Sequence, residues 1–348
     1  MPMLKTLFRR TAGKVALAVT AAITLTVLGV GLDGRSDQAF ADLPIDVDPN
    51  IPIIIPELGD LPLGPTPIGA KGAHRPVPKQ RGCTRKITPA EADAAVKAAK
   101  SGDKLCVVGG STTPIDVVRP SAGPSPLITL TGDGSPIKGV YIDVDNIVVE
   151  NFNSIDAEAP GFVIEGKNIT MRNNVIDNPK EGDNDGLRFF GSHLRILNNT
   201  IKNARNTDDA HADCMQTYSD DSPPSDHVVI DNNRCEGIDN QCLIIEGPND
   251  GEGDGVGHTE HIIFSRNYCE ATGGEIGAYQ AVMLEDVQHM TIALNDIRGP
   301  IRKAFAFDIG STHGRVLANR IDPRIPCKVG MDETSKPGYI GPRPTCAP

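Results

Sequence analysis

IVVENFNSI (147–155), ITMRNNVI (169–176), LRILNNTI (194–201), VVIDNNRC (228–235), IIFSRNYC (262–269), MTIALNDI (290–297) and GRVLANRI (314–321) are one phrase written seven times. Each is an alternating apolar run, then Asn, any residue, and an apolar residue or Cys. The anchors are Asn153, Asn174, Asn199, Asn233, Asn267, Asn295 and Asn319, spaced by 21, 25, 34, 34, 28 and 24 residues. A near-period of that size marks stacked structural repeats.

A second phrase falls between successive copies: GFVIEG, DGLRFFG, DCMQTYS, QCLIIEG, AVMLED and AFAFDIG. Each repeat therefore offers at least two strands with no helical period between them. A meander of antiparallel hairpins needs tight Asn-Gly-type turns at regular intervals, and none is written here. Windings of two or three strands that stack on one another satisfy the pattern. A single winding cannot bury its own apolar face, whereas seven can. The alternation predicts inward stacks from Phe162/Ile164, Leu187/Phe189, Met215/Thr217, Leu243/Ile245, Val282/Leu284 and Phe305/Phe307. Glu165, Arg188, Phe190, Gln216, Tyr218, Glu246, Glu285 and Asp308 are predicted to face outward.

Outward from this core, residues 1–41 read as an export signal. Lys5, Arg9, Arg10 and Lys14 precede the uncharged run Val15–Leu32, and Ala39-Phe40-Ala41 is an A-x-A cleavage site. A retained anchor is the alternative; after cleavage no membrane span is expected. Residues 42–80, rich in proline, read as an extended linker. Residues 81–348 form the folded domain. It opens on Thr88-Pro89-Ala90-Glu91, a helix start with Thr as N-cap and Glu three later. That helix is expected to cover the open end of the stack, as capping units do. The chain carries a net charge of −11, and residues 1–41 hold five basic and two acidic residues, leaving about −14 on the remainder. With no basic patch to release counterions, nucleic acid is excluded as a partner. A polysaccharide partner and a monomeric, secreted protein are expected.

Eight cysteines in an exported chain suggest four disulfides. Cys235 and Cys269 occupy equivalent places in adjacent phrases, as do Cys214 and Cys242. Stacked windings about 4.8 Å apart suggest Cys235–Cys269 and Cys214–Cys242, with Cys83–Cys106 and Cys327–Cys346 tying down the two ends. The inner four read equally well as reduced thiols in an apolar stack.

The opening ITPAEADAAVKAAKSGDKLCVV and the Asn ladder resemble the pectate-lyase-like superfamily of right-handed parallel β-helix proteins over about two thirds of the chain, Cys83 to Ile321. The resemblance implies an all-β solenoid with a short N-terminal capping helix. It leaves activity open, because such folds host lyases, hydrolases, epimerases and binders. Asn206-Thr207-Asp208 resembles a polygalacturonase motif, but the later Gly-His-Gly of that family is missing. His211-x-Asp213-x-x-Gln216 resembles a motif of actinobacterial β-helix proteins.

The chemistry gathers at one mouth of the second-phrase strands. Their alignment puts Asp183, His211 and Asp239 in one column and Asp185, Asp213 and Gln241 in the next, flanked by Arg188 and Gln216. Asp183, Asp185, Asp213 and Asp239 are candidate ligands for Ca²⁺, which takes six to eight oxygens. A calcium-assisted β-elimination needs a base: His211, or Arg188 or Lys303 if strongly perturbed. Alternatively two of the carboxylates act as acid and base in glycoside hydrolysis. The candidate catalytic set is His211, Asp213, Asp185 and Arg188; Gln216, Phe190, Tyr218 and Glu246 are candidate sugar contacts. The plainer reading makes Asp183, Asp185 and Asp239 turn residues that satisfy backbone donors. A non-catalytic glycan-binding or adhesin-like protein is the alternative function. Asp250–Gly255 half-matches a calcium loop without its closing Glu. His258 and His261 flank Glu260 with no helical face or Cys partner, so no zinc site is read there.

Overall fold

The computed structural model describes residues 80–118, 125–157, 160–180, 183–207, 211–220, 222–248, 258–272 and 279–348. Residues 1–41, read above as an export signal, residues 42–79, read as a linker, Asp208 and residues 250–255, read as a half-matched calcium loop, lie outside them.

The chain winds into a right-handed parallel β-helix. Each full winding places one strand on each of three walls. One winding reads Leu187–Ser192, Arg195–Leu197, Thr200–Lys202. Its neighbour above begins with Met215–Thr217, and among the described residues the inter-winding pairings are parallel and, apart from one shift between Glu236 and Ile238, in register, as in Leu187↔Met215 and Ile201↔Cys235. Because the side-chain period of a strand is two, in-register stacking keeps equivalent letters above one another. The predicted inward residues are all buried: Phe162, Leu187, Met215, Leu243, Val282 and Phe305 are fully shielded and form one column.

The Asn ladder runs through the turn between the second and third walls. Asn174, Asn199, Asn233, Asn267 and Asn295 each donate a side-chain N–H to the Oδ1 of the next rung, ending on Asn319. The same Oδ1 atoms accept the backbone N–H of the rung below. The residue just before each rung from Asn174 to Asn319 has φ between 49° and 58°, which turns the chain sharply and aims the Asn inward. The first anchor needs correction. Asn153 pairs with Val175, and it is the backbone N–H of Phe152 that donates to Asn174 Oδ1. Phe152 fills the ladder position with a ring packed edge-on against Phe162.

At the N-terminal end, a 3-10 turn (Pro89–Glu91) leads into an α-helix (Ala92–Lys97). The Glu91 carboxylate accepts the Thr88 N–H at 2.7 Å. Ala92, Ala95 and Val96 close the end of the stack with small apolar surface. The helix is shorter than AEADAAVKAAK suggests.

All eight cysteines are oxidised. Cys83–Cys106 and Cys327–Cys346 join as expected. The inner pairs do not: the bonds are Cys214–Cys235 and Cys242–Cys269. Cys235 and Cys269 are register neighbours, but parallel in-register side chains stay about 4.8 Å apart, beyond the ~3.8 Å Cβ separation typical of a disulfide. The bond instead crosses the interior of one winding. In the windings before it the same two positions hold Gly161 with Ile176 and Gly186 with Ile201. A Cβ on those glycines would lie 2.4 and 2.3 Å from the isoleucine Cγ2. Two cysteines fill the space of one Gly and one Ile. The double substitution Cys214→Gly/Cys235→Ile is therefore expected to fold with a loss of at most about 3 kcal/mol, the entropy of one loop closure. Cys214→Ile alone should overpack the corner. Denaturant midpoints of the two variants check this.

Candidate active site

The turn that returns the chain from the third wall to the first carries the site. Asp185 Oδ1 accepts the Asp213 N–H at 2.9 Å, and Asp213 Oδ1 accepts the Gln241 N–H at 2.8 Å. Asp185, Asp213 and Gln241 therefore stack as the alignment predicts. Both aspartates are wholly buried. As turn residues they cap backbone donors, which is the plainer reading, and an Asn would do as much without charge. Burying a charge needs a compensating partner, and each carboxylate has one.

Arg188 grips Asp185 Oδ2 through Nε at 2.8 Å and Nη2 at 2.7 Å, and reaches Asp183 at 2.6 Å and the Tyr218 hydroxyl at 3.2 Å. Asp213 Oδ2 lies 3.2 Å from His211 Nδ1. That approach is not aligned as a hydrogen bond, and among the described residues Oδ2 has no other partner. Asn240 Nδ2 donates to Asp213 Oδ1 at 2.9 Å and sits 2.9 Å from His211 Nε2. With Nε2 accepting from Asn240, the neutral ring carries its proton on Nδ1, toward Asp213. The imidazole is half-exposed, so it joins the buried pair to solvent.

Burial, and then the charge of Asp213, push Asp185 up to about 7, against the pull of Arg188. Burial also raises Asp213, against its contact with His211 and its bonds from Gln241 and Asn240. The two titrate together. His211 is raised by its contact with Asp213, with burial opposing and Asp185 and Glu246 adding. For Arg188 burial works against the charge, but Asp185 and Asp183 outweigh it and hold the guanidinium charged. Arg188 therefore cannot serve as a base. Lys303 stands two windings beyond Gln241, on the rung after Gln280, where it donates to Pro348 O at the C-terminal end.

Other predicted residues separate. Asp239 turns away, bonded to Arg205 at 2.9 Å, the Asn206 N–H at 3.0 Å and the Thr272 hydroxyl. It braces a corner. Asp183 is spent on Arg188. Asp183, Asp185, Asp213 and Asp239 do not converge on one point among the described residues, and a guanidinium occupies the space between two of them. This donor set does not fit calcium, which needs six or more oxygens around a single centre. Phe190 is 3 % exposed, packed edge-on to Tyr218 with ring centroids 5.2 Å apart. It supports Tyr218 and offers no stacking platform itself. Gln216 lies beside Arg188 in register, and its Oε1, like Gln241 Oε1, is a buried acceptor without a partner. Such acceptors are rare in folded proteins and call for a ligand or water. Asn240, which touches both His211 and Asp213, was missed by sequence reasoning. Its signal is its place between the stacked Asp239 and Gln241.

No family model and no curated protein matches this chain. Among solved structures it is similar to an alginate lyase from Paenibacillus sp. str. FPU-7, at 15 % identity and TM-score 0.35, over 74 % of this chain and 97 % of that one. It is also similar to two mannuronan C-5 epimerase A-modules of Azotobacter vinelandii. AlgE6 matches at 10 % identity and TM-score 0.31, over 80 % of this chain and 98 % of that one. AlgE4 matches at 13 % and 0.25, over 81 % and 98 %. Likeness at this level carries no chemistry. The register of its own windings makes this chain a right-handed parallel β-helix.

Proposed function

We propose that the chain is an exported polysaccharide lyase in which His211 removes a proton from an acidic sugar and Arg188 faces the sugar's carboxylate. The observation that carries this is the half-exposed His211 backed by the wholly buried Asp213. A turn needs only a cap at that position, and a carboxylate aimed at an imidazole exceeds that need. In the β-elimination, His211 takes the proton next to the carboxylate, the electron pair forms a ring double bond, and the glycosidic C–O bond breaks. Tyr218, whose pKa burial raises against the influence of Arg188, stays protonated and can return a proton to the leaving oxygen. Hydrolysis by paired carboxylates needs two that reach the substrate, and Asp185 and Asp213 are both shielded. Glu165, Glu246, Glu285 and Asp308 line the same outward face, which confines a uronate to the rungs of Arg188 and His211.

A non-catalytic glycan binder is the second reading, favoured by Asn240, whose amide sits on His211 Nε2 and must swing aside for catalysis. Incubation with acidic and neutral polysaccharides, with and without chelator, separates the two. The lyase produces ultraviolet-absorbing unsaturated ends and is indifferent to chelator; reducing ends without them indicate hydrolysis. Silence in both channels with glycan retention means binding alone. The pH profile is a further check. His211 must be neutral to act as base, and its pKa is raised. The rate should therefore climb as pH rises through a value above the ordinary imidazole value of about 6.5. In Asp213→Asn any residual activity should show that limb at lower pH.

A further inference from the structure

The opposite ends of the same first-wall strands carry a second cluster, about 25 Å from Asp185 by strand rise. Where the chain turns onto the second wall, His193, His227, His261, His289 and His313 occupy successive windings, all with φ between 53° and 59°. Their rings form a continuous stack with centroid spacings of 5.2, 4.7, 4.8 and 4.7 Å. The stack borders an open groove of about 500 Å³, floored by Val229, Ile263 and Thr291.

The positive φ alone does not require histidine. Asn146 and Asn168 hold the same turn two windings earlier, with φ of 59° and 57°. Nor do the neighbours repeat: the preceding residue is Ser192, Asp226, Glu260, Gln288 and Thr312 in turn, so carboxylates flank only two central rungs. The geometry points to a divalent transition-metal site centred on His261, with Asp226 and His227 on one side and Glu260 and His289 on the other. In Asp226/His227/His261, and again in Glu260/His261/His289, one donor atom from each residue lies within 4.8 Å of the others. His261 Nδ1 is 3.4 Å from Glu260 and 3.9 Å from Asp226. Rotation of these half-exposed side chains brings such atoms to the roughly 3.3 Å separation of ligands around a zinc ion. Mixed imidazole and carboxylate donors suit Zn²⁺, Cu²⁺ or Ni²⁺ better than calcium. Ligation needs neutral imidazoles. The two triads share His261, so one ion occupies the cluster. His258 takes no part: apart from Glu260, the partners of His261 come from other windings.

Titration calorimetry of Zn²⁺ into the intact protein should show one equivalent bound. His261→Asn keeps the turn, as Asn168 does, and should weaken binding more than about tenfold, the lower range for loss of an outer-shell partner. His193→Asn and His313→Asn, at rungs without carboxylates, should stay within about twofold of wild type, since they remove no ligand. The double variant Asp226→Asn/Glu260→Gln leaves every ring in place and should lose affinity as His261→Asn does. No uptake by the wild type would overturn the site, as would wild-type affinity in His261→Asn or in the double variant. Equal losses in the end-rung variants would also overturn it, by making the stack an unselective run of imidazoles.

Discussion

Replacing His211 by alanine should abolish turnover while the chain still folds. The ring is half-exposed, so its removal opens no cavity. A positioned acid or base contributes about 10²–10⁴-fold, and this is the expected drop in kcat. Asp213→Asn should reach the same range by another route. An Asn oxygen can still cap the Gln241 N–H, as Asn side chains do along the ladder. The atom facing His211 Nδ1 then becomes an amide nitrogen, and the charge that holds the imidazole proton is gone. Turnover by both variants within a few-fold of wild type, with both folded, would remove this site from the proposed chemistry.

The second large effect is on stability. Asn233→Ala should cost about 3–6 kcal/mol, since each buried group left unsatisfied costs about 1–3 kcal/mol. Asn233 is fully buried. Its Oδ1 accepts from the backbone N–H and side chain of Asn199 at 2.9 and 3.0 Å, and its Nδ2 donates to Ile196 O at 2.8 Å and Asn267 Oδ1 at 3.1 Å. Alanine leaves the Asn199 N–H and Ile196 O without their side-chain partner in a dry interior, while Asn199 Nδ2 keeps Met171 O and Asn267 Oδ1 keeps the Asn233 N–H. A loss of that size is a large share of the ~5–15 kcal/mol that holds a domain together. Asn319→Ala, at the partly exposed end of the ladder, should cost about 1 kcal/mol, because water replaces the lost bonds. Denaturant midpoints at unchanged slope measure both. A cost below about 1 kcal/mol at Asn233 would mean the ladder does not hold the windings together.

The anchor spacings and the alternation of Phe162/Ile164 through Phe305/Phe307 were enough to establish the stacked windings. A parallel strand in register repeats its inward face with period two, so the core is written directly in the letters. The column Asp185, Asp213, Gln241 was legible for the same reason. The histidine stack was equally written: His193, His227, His261, His289 and His313 each stand six residues before a ladder asparagine. It was overlooked because a search for metal ligands looks to sequence neighbours, whereas all the proposed partners of His261 except Glu260 come from other windings.

What the tertiary structure alone decided was direction within a winding. The turn conformation before each ladder rung put Phe152, and not Asn153, at the inward position. The corner that seats Gly186 against Ile201 chose Cys214–Cys235 over the vertical pair. Arg188 and Arg205 drew Asp183 and Asp239 away from a common centre. Periodicity sets the height of a residue in the stack, whereas the angle at which its side chain leaves the wall depends on local φ and on what fills the corner. The letters of a repeat carry the first and only the packed winding fixes the second.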